Sequence, residues 1–270
     1  MGDTRITVPI GGINVRGYNF DLSALVSTDD NYILFESETS QIGSGTVILN
    51  DMTISINGAG SQVYELIDSD GSHGVSFTNI YYIDCTSLGE LASYRQGSEF
   101  NTLRVAGSPT LRLSGNWGGY RASSTIARDL DGTMTEPLFK EGLAFQMDGR
   151  FLTDINADLP TLAPLCDFTT GSFPNPSTLQ FKSAIITRDG SFNANDSNIF
   201  TNISASDLAC DWSDNVGMKN TFVGGGLIFA LEQVTSIPVK DISVDIAGTL
   251  VPISLEHFDS PSSDELRHLG

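Results

Sequence analysis

Short apolar pairs recur at a fixed interval in the first half of the chain. The pairs lie 28 positions apart: Val47 and Leu49, Val75 and Phe77, Leu103 and Val105. Such an interval predicts stacked strands in one register, because repeats of roughly 20 to 50 residues mark units that bury their apolar faces against a neighbour. The same interval places Asp51 over Asn79, so a turn-forming polar residue recurs with the strands.

These patterns predict an all-β fold whose body is a parallel β-solenoid, with a β-sandwich or jelly roll as the alternative. The 28-residue interval would next fall on Asp131, where the apolar pattern breaks. Residues 114–140 are therefore predicted to form a longer excursion from the repeat. Helical periodicity is nearly absent, and one short helix near Thr86 is the most that the sequence allows.

The pattern divides the chain into three parts. Residues 1–30 lack the strand rhythm and are expected to form an N-terminal cap or attachment segment. Residues 31–226 are the predicted solenoid body. Residues 227–270 alternate apolar and polar positions like an antiparallel sheet and then end in a polar run. We expect a C-terminal β module to begin there and to be cut short.

Charge excludes two classes of partner. The chain has 33 acidic and 14 basic residues, which gives a formal net charge of -19. Such a surface repels phosphate backbones and anionic lipids, so we expect no nucleic acid partner. No stretch approaches the roughly 20 apolar residues that span a bilayer, so we expect no membrane insertion.

Cysteine content and the N-terminal sequence bear on the compartment. The three cysteines are far apart and form no CxxC, so they are predicted to be small buried apolar residues rather than disulfides or metal ligands. The N-terminus has no cationic segment followed by an apolar run, so no secretory signal peptide is predicted.

Carboxylates near the best repeats are the candidates for enzymatic chemistry. If the chain is an enzyme, Asp68, Asp70, Asp84 and His73 would form its site in a solenoid groove. The segment 72–74, Ser-His-Gly, resembles the Gly-His-Gly of polygalacturonase-like hydrolases, in which the imidazole supports carboxylates that act as acid and base. No Arg-x-Lys follows it, however. The preferred interpretation of His73 is a turn residue, with no catalytic residue in the chain.

An arginine-rich stretch with aromatic residues is the candidate ligand-binding region. Five of the 14 basic residues fall between positions 95 and 128. Within this stretch Arg112, Arg121, Trp117 and Tyr120 are the candidate contacts for an anionic sugar, because guanidinium groups bind anions and aromatic faces stack on sugar rings. The alternative is surface arginines paired with nearby acids and a tryptophan packed in the core.

No cofactor or metal is expected, and calcium is the alternative. Calcium prefers oxygen ligands, which Asp129, Asp131 and Glu136 would supply from one acidic turn. These residues do not match the twelve-residue calcium loop, and Asx turns without metal explain the pattern adequately.

Four segments resemble known families. Residues 46–60 and 73–89 resemble rungs of pectate-lyase-like right-handed β-helices, in which a short strand ends in Asn or Asp. Residues 107–121 and 258–270 are similar to stretches in structural proteins of marine bacteriophages. The resemblance implies a right-handed β-helix in a virion appendage of the fibre, spike or decoration type, which is usually a homotrimer.

We therefore expect a non-enzymatic virion structural protein that is made in the host cytoplasm. Its expected partners are further copies of itself, other virion proteins and a host surface polysaccharide. One alternative is a polysaccharide-cleaving β-helix hydrolase or lyase. The other is a secreted bacterial β-helix adhesin, which the composition suits equally well.

Overall fold

The computed structural model describes residues 5–38, 43–168 and 171–172 continuously. Further along the chain it describes short segments, namely 178–182, 185–189, 216–219, 221–223, 226–228, 243–246 and 249–252. All structural statements below concern these residues. No helix among them is long and apolar enough to cross a bilayer.

The described residues form strands and turns. In chain order the strands are β1 (Ile6–Val8), β2 (Ile13–Arg16), β3 (Ala24–Ser27), β4 (Ile33–Ser37), β5 (Val47–Ile56), β6 (Gln62–Ile67), β7 (Val75–Cys85), β8 (Gly89–Ala92), β9 (Ser98–Gly107), β10 (Leu111–Ser114), β11 (Asn116–Trp117), β12 (Tyr120–Leu130), β13 (Phe139–Glu141), β14 (Gln146–Met147), β15 (Arg150–Leu159), β16 (Cys166–Asp167), β17 (Thr178–Lys182), β18 (Ile185–Arg188), β19 (Val216–Lys219), β20 (Thr221–Val223), β21 (Gly226–Ile228), β22 (Ser243–Ile246) and β23 (Thr249–Pro252). The all-β class predicted from the sequence is confirmed.

Two mostly parallel sheets contain most of these strands. A seven-stranded sheet has the order β1-β4-β6-β8-β10-β13-β16. A twelve-stranded sheet follows the order β2-β5-β7-β9-β12-β15-β18-β20-β21, with β3, β17 and β19 pairing beside this path. From β4 to β10 the chain alternates between the two sheets, so each passage adds one parallel strand to each. Strand order in space therefore follows strand order in sequence.

The predicted register holds for one step and fails for the next. Val47 pairs with Val75 across β5 and β7, as the 28-residue interval predicts. Val75, however, pairs with Ser98, and Leu103 pairs with Ile80. The step shortens from 28 to 23 residues because both turns and the intervening strand are shorter: residues 86–88, β8 and 93–97 replace residues 57–61, β6 and 68–74. Turn length varies between passages, while the inward side chains keep the strands aligned.

The predicted excursion over residues 114–140 is wrong. Within it, β12 lies between β9 and β15 and is parallel to both. Its inward positions include Ala122, Thr125 and Ala127, which are small or polar although they are buried. The hydrophobic alternation that reveals the other strands is therefore weak here. Strand pairing on both sides recruits the segment in spite of its composition.

Two predictions at turns have different outcomes. The short helix that the sequence allowed near Thr86 does not form, because residues 86–88 are the turn between β7 and β8, where the Thr86 hydroxyl donates to the Gly58 carbonyl at 2.9 Å. The cysteine prediction is confirmed for Cys85 and Cys166, which are buried free thiols. Burial raises the pKa of the Cys85 thiol to about 11. Cys210 lies outside the described residues.

The two ends of the chain differ in strand direction. Within residues 1–30, β1 pairs with β4, and both β2 and β3 pair with β5, so this segment forms the end of both sheets. Toward the other end β20 still pairs in parallel with β18, whereas the pairings β20 with β21 and β22 with β23 are antiparallel. Most of residues 227–270 lie outside the described residues.

A column of buried aromatic rings connects successive strands. Neighbouring ring centroids are 4.7 to 5.7 Å apart, within the range of favourable aromatic contact. The column consists of Phe35, Tyr64, Phe77, Phe100, Tyr120 and Phe151. Because every ring after Phe35 contacts rings on both sides of it, the core is continuous along the two sheets.

Four long strands bend at equivalent positions. Asp51, Asn79, Thr102 and Ser124 all have positive φ between 54° and 58°. Asn and Asp tolerate this conformation better than other non-glycine residues. The Asn79 side-chain amide donates to the Asp51 carboxylate at 3.0 Å, which confirms the predicted alignment of these two residues.

Removing one ring from the column is expected to destabilise the whole chain. Phe100 is 1% exposed and contacts rings on both sides. We expect Phe100→Ala to reduce the free energy of unfolding by about 3–5 kcal/mol, because it leaves a cavity that the neighbouring strands cannot close. Urea unfolding followed by circular dichroism measures this. The control is Leu143→Ala, at a side chain 88% exposed, where a change below about 0.5 kcal/mol is expected. Similar values for both variants would contradict the continuous core.

Candidate functional site

An open cleft of about 640 Å³ crosses the starts of β5, β7, β9, β12 and β15. Outward side chains from these strands line it in register. The row consists of Ile48, Ser76, Glu99, Arg121 and Leu152, each paired with the next across neighbouring strands. Gln96 and Arg150 also line the cleft. We call this feature the strand-start cleft.

Glycines directly before the strands form part of the cleft. Gly74, Gly97 and Gly119 immediately precede β7, β9 and β12, and all three line the cleft. A Cβ at Gly74 would lie 2.5 Å from the Gly97 carbonyl oxygen, so a side chain does not fit there. Gly97 has a φ of +84°, which favours glycine. The cleft is therefore a consequence of residues without side chains.

A hydrogen-bonded turn borders the cleft. We call residues 68–73 the acidic turn. Its last residue, His73, directly precedes Gly74, and the His73 carbonyl accepts a hydrogen bond from the Gln96 amide at 3.1 Å. Gly74 and Gln96 both line the strand-start cleft. The acidic turn thus lies beside the cleft.

The side chains of the acidic turn satisfy one another. The Asp68 carboxylate is fully buried and accepts hydrogen bonds from the backbone amides of Gly71 and His73 at 3.2 and 2.8 Å. His73 Nδ1 lies 3.1 Å from the Asp68 carboxylate and 3.4 Å from that of Asp70. The Ser72 hydroxyl and amide donate to Asp70, and these bonds lower the pKa of the Asp70 carboxyl.

Three of the four candidate catalytic residues come together and one does not. Asp68, Asp70 and His73 share the acidic turn, whereas Asp84 lies at the far end of the 11-residue strand β7, exposed to solvent. Asp68 has no exposed side-chain surface, so it cannot touch a substrate. Its position suits it to orient His73, in the way that a buried carboxylate fixes a histidine ring.

Asp68, Asp70 and His73 could also hold a metal ion. Among the described residues, no other group of three His, Cys, Asp or Glu side chains brings its ligand atoms together. One atom from each lies within 4.8 Å of the others. Two carboxylate oxygens and one imidazole nitrogen could contact a divalent cation. The hydrogen bonds of the turn explain the arrangement without an ion, because they satisfy Asp68 and Asp70 from within the turn itself.

The candidate calcium ligands bond to different partners and do not converge on one point. The Asp131 carboxylate accepts the Thr133 amide and hydroxyl at 2.8 and 2.7 Å, and these bonds lower its pKa. Glu136 pairs with Lys140. Asp129 and Asp131 are therefore not joined with Glu136 in one cluster of converging oxygens among the described residues. The Asx-turn alternative accounts for Asp131.

The two aromatic candidates for sugar binding lie in the core. Trp117 is 0% exposed, and its indole N–H donates to the Ser114 carbonyl at 2.8 Å. Tyr120 is 1% exposed, and burial raises the pKa of its hydroxyl well above its usual value. Neither ring presents a face to a ligand, because both point inward from their strands. The structure thus removes both as ligand contacts in favour of core packing.

The arginines of the same stretch do not form one patch. Arg121 lies on β12 in the strand-start cleft, and its guanidinium is 3.9 Å from the Glu99 carboxylate. Arg112 lies on β10 in the other sheet. Arg104 lies over the ring of Phe20, with 5.2 Å between the guanidinium carbon and the ring centroid. Arg128 donates to the Asn156 side chain at 2.6 Å.

Sequence reasoning missed Arg150, Gln96 and the glycines of the cleft. A signal for them exists, because Gly74-Val-Ser-Phe and Gly97-Ser-Glu-Phe are 23 positions apart. Gly119-Tyr-Arg-Ala follows 22 positions later in the same register. A glycine directly before the strand, with an outward polar residue two positions later, marks the starts of β7, β9 and β12.

Comparison with known proteins finds no match among family models, curated proteins or solved structures.

The acidic turn generates a prediction about its buried carboxylate. Both Asp68 carboxylate oxygens accept backbone N–H groups, so in Asp68→Asn the side-chain NH2 group replaces one acceptor and faces a backbone N–H donor. We expect a loss of about 1–3 kcal/mol in the free energy of unfolding, measured by urea denaturation. The control is Asp70→Asn, since both Ser72 bonds use one oxygen, which asparagine retains. Equal effects of the two substitutions would contradict a structural role for Asp68.

Proposed function

We propose that this chain is a non-enzymatic structural protein of a phage particle that binds a host surface glycan in the strand-start cleft. In this proposal the chain is a right-handed parallel β-solenoid of the fibre, spike or decoration type. It forms a homotrimer, and this homotrimer binds other virion proteins. It is made in the host cytoplasm and resides in the virion.

Regular alternation between two parallel sheets supports the solenoid. From β4 to β10 each passage of the chain contributes one strand to each sheet, in sequence order. Such a chain keeps its backbone hydrogen bonds between neighbouring passages, which suits a mechanically loaded appendage. The antiparallel pair β22–β23 forms a sheet of its own, which supports a separate C-terminal module.

The strand-start cleft is the observation that carries the binding role. It combines an open volume of about 640 Å³ with hydroxyl, amide and charged side chains on a glycine-containing surface. Such groups can exchange hydrogen bonds with sugar hydroxyls. Similarity of residues 107–121 and 258–270 to stretches in marine phage structural proteins supports the virion assignment, and residues 258–270 lie outside the described residues.

The contacts of the acidic turn favour binding without cleavage. Glycosidic hydrolysis uses two carboxyl groups that both reach the scissile bond. Asp68 is buried and Asp84 is remote, which leaves Asp70 as the one exposed carboxylate of the turn. Because the turn offers only one carboxylate to a substrate, a solenoid hydrolase that uses Asp68, Asp70 and Asp84 is disfavoured.

A polysaccharide-cleaving enzyme is the second candidate, and a specific contact favours it. The buried Asp68 carboxylate holds His73 Nδ1 at 3.1 Å, beside a cleft that could hold a polymer. This arrangement would leave His73 Nε2 available as a base. A lyase that removes a proton from an acidic sugar would need such a group.

One experiment separates the two candidates. The purified chain is incubated with a polysaccharide panel, and binding is measured by affinity electrophoresis while reducing ends and unsaturated products are assayed. We expect retention on at least one polysaccharide with no product formed. Sedimentation velocity on the same samples is expected to give a homotrimer. If the wild-type chain releases product and the His73→Gln variant releases none, the non-enzymatic proposal is overturned. A monomer at all concentrations would overturn the trimer.

A further inference from the structure

The strand-start cleft is locally basic in an acidic protein. Its lining includes two arginines, Arg121 and Arg150, and one acidic residue, Glu99. The chain as a whole has a net charge of -19. An anionic ligand approaching most of the surface meets repulsion, whereas the β12 and β15 end of the cleft offers two guanidinium groups.

The guanidinium groups of Arg121 and Arg150 both have N–H donors that a ligand can use. The Arg121–Glu99 contact is 3.9 Å long, and the two side chains are 64% and 53% exposed, so water and salt weaken the pair. Arg150 forms no ion pair or hydrogen bond through its side chain among the described residues. It begins β15 and points to the same outward face as Leu152, the register partner of Arg121.

A sugar polymer fits this surface better than a peptide does. The strands below the cleft are paired on both sides in parallel ladders, so an incoming peptide finds no free edge there for strand addition. Hydroxyl and amide groups of Thr46, Ser76 and Gln96 remain for side-chain hydrogen bonding. Trp117 and Tyr120 are buried, so recognition would depend on polar contacts rather than ring stacking.

We propose that the strand-start cleft binds an acidic glycan and that Arg121 and Arg150 contact its carboxylate or sulfate groups. This inference rests on the proposed function, because it names the ligand class of the same cleft. Guanidinium groups bind planar carboxylates in bidentate fashion and also bind sulfate-like oxyanions. The glycines permit close approach of the sugar to the backbone.

Calorimetric titration of the full chain with defined oligosaccharides tests the inference. The probes are tetramers of galacturonate and chondroitin sulfate, with maltotetraose and cellotetraose as neutral counterparts. We expect an acidic tetramer to bind at least about tenfold more tightly than the neutral ones, and the affinity to fall as sodium chloride rises. The galacturonate tetramer offers carboxylates alone, whereas the chondroitin sulfate tetramer has both carboxylates and sulfates, so tighter binding of the second would indicate that sulfate contributes.

Arginine variants locate the binding. Arg121→Gln and Arg150→Gln are each expected to weaken acidic-tetramer binding by about fivefold, a loss of about 1 kcal/mol. Arg128→Gln is the matched control, because it makes the same charge change on β12 outside the cleft. We expect it to leave the affinity unchanged.

The outcomes separate this inference from the proposed function. Neutral tetramers that bind as tightly as acidic ones would overturn the inference and leave glycan binding intact. Failure of every polysaccharide and tetramer to bind would overturn both. Equal weakening by Arg128→Gln and the cleft variants would indicate general charge attraction, which also overturns the assignment.

A second inference concerns a small core cavity whose mostly apolar lining includes four hydroxyl-bearing residues. A cavity of about 20 Å³ is lined by Tyr64, Tyr82, Tyr120 and Thr125 together with apolar side chains. The Tyr64 and Tyr82 hydroxyls bond each other at 2.7 Å. The Tyr120 hydroxyl and Thr125 Oγ1 are buried without a hydrogen-bond partner among the described residues. Thr125 follows the register shift between β12 and β15.

Unpaired buried hydroxyls are unfavourable, and a cavity of at least about 10–15 Å³ accommodates one water molecule where two or more polar groups can bond it. We infer that this cavity binds one structural water, which accepts or donates hydrogen bonds at both Tyr120 and Thr125. The water would satisfy the polar groups that the register shift of β12 leaves inside the core.

A comparison of two buried threonines tests the water. Thr125→Val is expected to raise the unfolding equilibrium constant by about tenfold, because the water loses a partner. Thr153→Val is the control, since Thr153 Oγ1 is also buried and unpartnered but does not line the cavity. We expect it to be neutral or stabilising. Equal effects of the two variants, or a high-resolution crystal structure without a water between Tyr120 and Thr125, would overturn the inference.

Discussion

Parallel pairing between successive passages of the chain is the constraint on which the rest of this structure depends. Each long strand is hydrogen-bonded on both sides, so β7 holds β5 and β9, and β9 in turn holds β12. Because every strand alternates inward and outward side chains, one register aligns the buried face and the exposed face together. The aromatic column inside and the row of side chains in the strand-start cleft are therefore two results of the same pairing. A change of turn length leaves both intact as long as the strands stay aligned.

The cleft and the acidic turn have different physical origins. Glycines at 74, 97 and 119 create the cleft by withholding side chains at the start of three adjacent strands. Asp68 organises the turn by accepting two backbone amides, which holds His73 beside the cleft. The turn is thus chiefly a piece of local structure that borders the strand-start cleft. This division favours the proposed binding role, since cleavage would require His73 to act with little help from a second exposed carboxylate.

Several features of the site were within reach of sequence reasoning, and others were not. The alignment of Asp51 with Asn79 followed from the 28-residue interval, because both residues occupy the same bend in adjacent strands. Trp117 was a candidate for both ligand contact and core packing, because an aromatic residue among glycines has the same local pattern whether it points inward or outward; its burial decides for the core. Arg150 carried no signal of its own. It belongs to the cleft only because β15 pairs with β12, and residues 131–149 separate those two strands in the sequence.

The sequence by itself determined the all-β class, the one-sided burial of the strands and the acidic surface, because alternation and charge are local properties of the chain. It also determined the first stacking step, since Val47 and Val75 lie in equivalent surroundings. Only the tertiary structure decided the later registers, the recruitment of β12 into the sheet and the separation of Asp84 from His73. The physical reason is that turn lengths between passages vary, and strand pairing selects the register in which buried side chains from both sheets fit together. Such a choice depends on contacts between residues far apart in the chain, which no local pattern contains.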